Sequence, residues 1–196
     1  MKKKDTKTNL LEATLKLISE KGYLGATTRE IAQEAGVTEL TLFRHFGSKE
    51  KLFEELLNTY TFLPRLRELL PEVRDLSTSE VLIVVGERFF ESLKERKSMV
   101  RIMLSEITVY PDKIREVYND MIQGIINTLA GYFIDQQKKS TVRDIPPEMI
   151  ARAFLSMIFS YFQTEEIVRG RSITKSEIDD VVRSYVDIFT NGVVIQ

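Results

Sequence analysis

The chain has 196 residues, 43% of them hydrophobic and 29% charged, which is typical of a globular protein with a sizeable core. It contains no cysteine, which excludes a disulfide framework and a thiolate metal site. Its net charge of −1 divides into +3 over residues 1–51 and −4 over the rest, so the N-terminal part is the one suited to nucleic-acid phosphates.

The first nine residues, MKKKDTKTN, are basic, and Lys2, Lys3 and Lys4 are expected to form a solvated tail. No apolar segment follows that would make a secretory signal, and no apolar run reaches the ~20 residues that a membrane span needs. These features predict a cytoplasmic protein that does not contact a membrane. A first helix is then predicted from apolar positions between Leu10 and Ile18, with Gly22 as its C-cap.

A second helix is predicted to start at Thr27. Thr27 precedes Glu30 by three residues, which is the capping-box pattern of a helix N-terminus. Gly36 provides the left-handed residue that ends such a helix and permits a sharp corner. Between them, three apolar positions at helical spacing mark a buried face: Ile31, Ala32 and Ala35.

A third helix, Glu39 to His45, follows the corner. Thr38 is its predicted cap, and Leu42 and Phe46 face inward. Its outward positions carry short or hydrogen-bonding side chains, which suit base edges and phosphates: Thr38, Glu39, Thr41, Arg44 and His45. Two short helices with this corner predict a helix-turn-helix, whose second helix lies in the DNA major groove. An ordinary helical hairpin in an all-α core is the structural alternative.

The segments TTREIAQEAGV, TLFRHF and GSKEKLF resemble the DNA-binding domain of the TetR family of one-component transcriptional regulators. The resemblance extends back to about Asn9 and covers roughly the first quarter of the chain. It implies that Lys49, at the start of a fourth helix, grips a DNA phosphate. Two positions depart from the family pattern, which usually has Tyr in place of Phe43 and often Gly in place of Leu40, so Leu40 could meet a thymine methyl.

We therefore predict a DNA-binding head at residues 1–53 with the helix-turn-helix at 27–46. A fourth helix links this head to a ligand-binding and dimerisation domain at residues 54–196. The predicted DNA contacts share an outward position on the head: Thr27, Thr28, Arg29, Thr38, Glu39, Leu40, Thr41, Phe43, Arg44, His45 and Lys49.

The rest of the chain also reads as helical. After prolines at 64 and 71, a capping box at Ser77 and Glu80 predicts a helix to about Lys97. Further helices are predicted around 99–109, over 112–138, after Pro146 and from the capping box at Thr174 to about 191. No strand pattern is present. The fold class is all-α, with about nine helices: a three-helix head plus a C-terminal helical bundle.

The bundle has two predicted roles. A helix-turn-helix usually reads two half-sites as a two-fold dimer, and the resemblance places the dimer interface on the last two helices. Their wide apolar faces supply the candidates: Phe154, Met157, Tyr161, Val181, Val182, Tyr185, Ile188 and Phe189. The resemblance also implies a pocket for a small effector, here apolar or aromatic, with these candidate residues: Phe62, Phe89, Phe90, Met99, Met103, Tyr110, Tyr118, Met121, Ile122, Ile125, Met157 and Phe162.

The predicted function is a dimeric repressor that leaves its operator when the effector binds. An enzyme is disfavoured because the single histidine, His45, lies on the recognition helix and because no metal-ligand spacing or phosphate loop is present. No cofactor is expected. Acidic pairs such as Glu165–Glu166 are interpreted as solvated helix faces. A helical protein–protein adaptor without DNA binding remains the alternative.

Overall fold

A computed structural model describes residues 5–193, so the tail lysines at positions 2–4 lie outside the described residues. Within that range the chain forms ten α-helices and one π-helical segment, without a β-strand, which confirms the all-α prediction. The helices are α1 (Thr6–Gly25), α2 (Thr28–Glu34), α3 (Glu39–Phe46), α4 (Lys49–Tyr60), α5 (Phe62–Glu72), α6 (Thr78–Glu95), α7 (Lys97–Glu106), α8 (Asp112–Lys138), α9 (Pro147–Phe162) with the π-helical segment Gln163–Val168, and α10 (Lys175–Val193).

Local signals explain most helix boundaries. The capping boxes predicted for α2 and α6 are both formed: each hydroxyl accepts from the backbone of the glutamate three residues on, and that glutamate accepts from the cap N–H. Thr174 and Glu177 form the same pair before α10. Gly22, with φ +76°, kinks α1 instead of ending it, and one more turn follows.

The chain divides into two compact units. Among the described residues, the first comprises 5–61 and 98–121, and the second comprises 62–97 and 122–193. The division falls within α8, and residues 54–61 and 98–121 pack with the head, although the predicted domain boundary lies at residue 53.

The first unit has one hydrophobic core. Head residues such as Leu10, Leu42 and Phe53 are fully buried in it, and so are Ile114 and Tyr118 of α8. The Phe53 ring lies 5.0 Å from that of Tyr23 and 5.2 Å from that of Tyr118, centroid to centroid. The three-helix head is therefore completed by α4, α7 and the start of α8.

In the second unit α6 packs against α9 and α10. The close approach is permitted at Gly86, where an added Cβ would lie 2.8 Å from Val182 Cγ1. Phe154, Ile158 and Val182 are fully buried at this contact. Burying apolar side chains of this size typically gives about 1.5–3 kcal/mol each, so these helices form the core of the unit.

The prediction that Glu165 and Glu166 are solvated is wrong. Both lie in the π-helical segment and are 5% and 2% exposed. Glu165 pairs with Arg169 and Arg171, each at 2.7 Å. Nothing in the local sequence distinguishes Glu166 from an exposed helical acid, because its lysine partners, Lys94 and Lys97, are distant along the chain.

Glu166 is the centre of a buried ionic network. Its carboxylate accepts from Lys97 Nζ at 2.6 Å and from the Ile173 N–H at 2.8 Å, and Lys94 Nζ lies 3.4 Å away. Burial alone would favour the neutral acid, but the hydrogen bonds from Lys97 and Ile173 outweigh it and hold the pKa of Glu166 below its ordinary value. The network ties the C-terminal end of α6 to the α9–α10 corner.

Candidate nucleic-acid interface

The corner between α2 and α3 sets the geometry of the helix-turn-helix. Gly36 takes the predicted left-handed conformation with φ +70°, and the Val37 N–H donates to the Ala32 carbonyl at 2.9 Å. Ile31, Ala32 and Leu42 are buried where the helices meet, and Phe46 is 7% exposed. The inward residues expected from the sequence are confirmed, and they leave the opposite face of α3 free.

That opposite face projects away from the core. Leu40 is 79% exposed and Phe43 is 41% exposed, so two large apolar side chains lie on the outer surface of α3. Arg44 and His45 are exposed beside them. The cap Thr38 accepts from the Thr41 N–H, and the two threonine hydroxyls are 3.0 Å apart. One helix face thus combines a cation, an imidazole, hydroxyls and two apolar groups.

Two of the predicted contacts bind each other. Thr28 Oγ1 donates to the Glu39 carboxylate at 2.5 Å, which links the start of α2 to the start of α3. Thr27 is occupied in the α2 capping box, whereas Arg29 is exposed. The carboxylate of Glu39 is therefore directed along the protein surface and supports the orientation of α3.

Glu30 stabilises the start of α2 as a charged group. It accepts from Lys21 Nζ at 2.8 Å and from the Thr27 N–H at 3.0 Å. The Lys21 hydrogen bond, followed by those from Thr27, lowers the pKa of Glu30 to about 2 from an ordinary value of 4.5. The cap is therefore fully charged at neutral pH.

We expect this stabilisation to disappear in acid. Because the folded-state pKa of Glu30 is lowered, its contribution is complete above the ordinary value of 4.5 and is lost as the pH falls towards about 2. Thermal unfolding of the wild type and Glu30→Gln should show a gap in Tm that shrinks between about pH 7 and about pH 3. Glu54→Gln, on the exposed face of α4, is the control; a gap for Glu30→Gln that does not change with pH would contradict the prediction.

Lys49 lies at the first position of α4, as the sequence indicates, but its ammonium is turned towards the protein. Lys49 Nζ donates to the Tyr23 carbonyl at 2.5 Å and lies 4.3 Å from the centroid of the Tyr23 ring. Burial lowers the pKa of Lys49, although Glu50 and Glu106 oppose that shift. An ammonium has three donors, so one is committed here.

Glu106 and Tyr23 were not among the residues predicted from the sequence. Glu106, the last residue of α7, accepts from the Tyr23 N–H at 3.2 Å and from the Tyr110 hydroxyl at 2.8 Å. Tyr23 is 3% exposed. Its position directly after Gly22 is the one sequence feature that could have indicated its role. No local feature of the sequence indicates the role of Glu106, because 83 residues separate it from Tyr23.

The predicted pocket residues are divided between the two units. Met99, Met103, Tyr110, Tyr118 and Met121 belong to or pack against the core of the first unit. The others lie in the second unit, where the Phe62 and Phe89 rings are 5.0 Å apart and those of Phe90 and Phe162 are 5.8 Å apart. Ile122 is 43% exposed, while Ile125 is buried and Met157 is half-buried.

The predicted dimer residues all lie on α9 and α10 but differ in exposure. Phe154, Val182 and Phe189 are buried within the chain. Ile188 is 64% exposed. The remaining members are half-buried: Met157, Tyr161, Val181 and Tyr185.

A membrane-spanning helix and a metal site are the other possibilities for residues 5–193. None of the helices in that range is long and apolar enough to cross a membrane. The same residues contain no group of three or more His, Asp or Glu side chains arranged to hold a metal ion.

Comparisons with known proteins agree with this geometry. Residues 10–56 match the family described as bacterial regulatory proteins, tetR family, and residues 80–192 match the C-terminal domain of AefR-like transcriptional repressors. The chain is 31% identical over 157 residues to the uncharacterized HTH-type transcriptional regulator YvkB of Bacillus subtilis, covering 80% of this chain and 81% of YvkB.

Two further similarities cover almost the whole chain. The chain is 30% identical to the HTH-type transcriptional repressor KstR2 of Rhodococcus jostii, over 97% of this chain and 92% of that protein. The structure of the Bacillus subtilis regulator FadR in complex with stearoyl-CoA superposes with a TM-score of 0.75 at 17% identity, covering 94% and 98% of the two chains, which shows a common fold.

Both matched segments, residues 10–56 and 80–192, thus indicate one family of DNA-binding transcriptional regulators, and members of this family are not enzymes. The helix-turn-helix geometry of α2 and α3 is the part of the structure that this function requires. This chain belongs to the TetR family of bacterial transcriptional regulators.

Proposed function

We propose that this cytoplasmic protein is a homodimeric repressor that binds a two-fold symmetric operator and is released by a small apolar or aromatic effector. The exposed face of α3 is the observation that carries the proposal. Leu40 and Phe43 are apolar yet exposed, beside the cation of Arg44, on the helix that a helix-turn-helix places in the major groove. The apolar side chains of that face are exposed to water, and contact with thymine methyl groups at the base edges would bury them.

The predicted DNA contacts fall into groups according to the chemistry of their side chains. Arg44 and His45 donate to base edges, and Leu40 meets a thymine methyl. Arg29 and the hydroxyl pair of Thr38 and Thr41 are proposed to approach phosphates. The Thr27 and Thr28 hydroxyls donate to Glu30 and Glu39, so these two residues are proposed to hold α2 and α3 beside the DNA backbone. Glu39 holds Thr28 and so positions α3. Lys49 keeps two N–H groups for a phosphate while the third holds Tyr23.

Dimerisation is proposed through α9 and α10. Their half-buried and exposed apolar residues, above all Ile188, would be covered by the same surface of a second copy. Reading two half-sites requires the two α3 helices of such a dimer to lie about 34 Å apart, one turn of DNA. The head at residues 1–53 then has the DNA-binding role, and residues 54–196 have the ligand-binding and dimerisation role.

The effector is proposed to bind among the aromatic side chains of the second unit, such as Phe62, Phe89 and Phe90. Support comes from the FadR structure, whose ligand, stearoyl-CoA, has a long apolar chain. An effector that binds better to a conformation with displaced heads lowers operator affinity by shifting the population. Stearoyl-CoA and free coenzyme A are a first matched pair of probes, and only the acylated one should release a bound operator fragment.

Binding of the purified protein to the DNA upstream of its own coding sequence tests the proposal. We expect footprints over two half-sites related by two-fold symmetry, with an affinity that falls steeply as salt rises. A protein–protein adaptor would bind no fragment in this way, whether from the upstream DNA or from a genomic library.

Replacing Arg44 by alanine should weaken operator binding by about 1–3 kcal/mol and relax the preference for one base pair in each half-site. The cause is the loss of a bidentate base contact, which a phosphate-binding cation could not provide. Competition binding against a panel of single-base operator variants measures both effects. Arg67→Ala, which removes an exposed cation from α5, is the charge-matched control. Equal losses for all operator variants would contradict the assignment of Arg44 to a base.

A further inference from the structure

The backbone of Tyr23 is held from both sides by charged side chains. Its N–H donates to Glu106 of α7 at 3.2 Å, and its carbonyl accepts from Lys49 of α4 at 2.5 Å. These groups belong to three different helices of the first unit, and Tyr23 itself is 3% exposed. We refer to Tyr23, Lys49 and Glu106 as the Tyr23 latch.

The carboxylate of Glu106 is closely surrounded. The oxygen that accepts from Tyr23 also accepts from the Tyr110 hydroxyl at 2.8 Å. The other oxygen lies where a side chain on Gly22 would be, 2.1 Å from the position of an added Cβ. Gly22 therefore leaves room for the carboxylate as well as providing the left-handed turn, which has φ +76°.

Two residues of the Tyr23 latch lie close along the chain to the helix-turn-helix, and the third, Glu106, belongs to α7. Lys49 follows the end of α3 by three residues, and Tyr23 is five residues before the first residue of α2. A displacement of α7 would break the Glu106 bond or carry Tyr23 and Lys49 with it. The apolar core shared by the head and α8 lies directly beneath, through Phe53 and Tyr118.

We propose that Glu106 is a positioning residue: with Lys49 it fixes the helix-turn-helix to α7, and reading of two half-sites together depends on this fixed position. The inference rests on the proposed function and names the contact that joins the helix-turn-helix to α7 within the first unit. A head that is released from α7 can still bind one half-site. The distance between the two α3 helices of a dimer is then no longer fixed, although binding of two half-sites together requires a fixed distance.

The test compares the footprinted fragment with a shortened fragment that contains one half-site. Glu106→Ala should weaken binding to the two-half-site fragment about tenfold and to the one-half-site fragment by no more than about twofold. Glu106→Gln should restore the wild-type ratio, because a single amide oxygen can accept from both Tyr23 and Tyr110. Glu116→Ala, an exposed carboxylate of α8, should change neither affinity.

A glycine pair tests the same geometry without touching Glu106. Gly22→Ala should reproduce the Glu106→Ala result, since the new Cβ occupies the position of the carboxylate. Gly170→Ala introduces a side chain at a similar positive φ of +66°, with no other group within 4 Å, and should leave the ratio of affinities unchanged.

Amide hydrogen exchange tests the Tyr23 latch in the absence of DNA. In Glu106→Ala, exchange at Tyr23 should accelerate about tenfold relative to the wild type. Unchanged exchange would overturn the proposal, and so would equal losses on both DNA fragments or a two-half-site affinity within about twofold of the wild type. If the wild type bound no fragment in a salt-dependent manner, the proposed function would fail, while the exchange measurement would still decide whether the latch exists.

Discussion

Replacement of Glu166 by alanine is expected to lower the free energy of unfolding by about 1.5–3 kcal/mol, because it removes the buried carboxylate that holds two half-buried lysines and leaves the Ile173 N–H without an acceptor. Glu166 is 2% exposed and is bound by Lys97, Lys94 and the Ile173 N–H. Urea denaturation followed by circular dichroism measures the change. All variants should be compared at one protein concentration, since the proposed dimerisation would make stability depend on concentration.

The control is Asp180→Ala, which removes an exposed carboxylate from α10 and should change the free energy of unfolding by no more than about 0.5 kcal/mol. The pairing itself is tested by a double-mutant cycle of Glu166→Ala with Lys97→Met, which should give less than additive losses. A loss below about 1 kcal/mol for Glu166→Ala would show that the network is no more stabilising than surface ion pairs.

Replacement of Phe53 by alanine should cost about 3–5 kcal/mol, since it opens a cavity between α1, α4 and α8. Phe53 is fully buried and its ring contacts those of Tyr23 and Tyr118. The same experiment measures the loss of stability. DNA binding should fall with it, because the helix-turn-helix rests on this core.

Phe43→Ala is the matched control, the same chemical change on the exposed face of α3. It should change stability by about 0.5 kcal/mol or less yet still weaken operator binding. The two variants therefore separate the buried surface of the head from the outer surface that is proposed to contact DNA. If Phe43→Ala destabilised the protein as much as Phe53→Ala, the assignment of the outer face of α3 would be wrong.

The helix-turn-helix could be predicted because its determinants are local. Thr27 and Glu30 form their capping box within one helical turn, and Gly36 takes a conformation that glycine adopts without a Cβ penalty. The 3.6-residue period likewise placed Leu42 and Phe46 inward and Leu40 and Arg44 outward. Each of these properties depends on residues fewer than ten positions apart.

Long-range pairings could not be predicted in this way. Glu166 meets Lys97 across 69 residues, and Lys49 meets the Tyr23 carbonyl across 26. From the sequence, Glu166 was predicted to be solvated, and Lys49 was predicted only to contact DNA. A charged side chain has the same local pattern whether it is exposed or paired in the interior, so its partner decides between the two.

The sequence by itself determined the helical class, the capped boundaries of α2 and α6, and the surface of α3 that faces outward. These follow from backbone hydrogen bonding and helical periodicity, which act over a few residues. Only the tertiary structure decided that α7 and the start of α8 share the core of the head and that Glu106 holds Tyr23. Such contacts depend on which helices pack together, because burial and ion pairing act between segments that are distant along the chain.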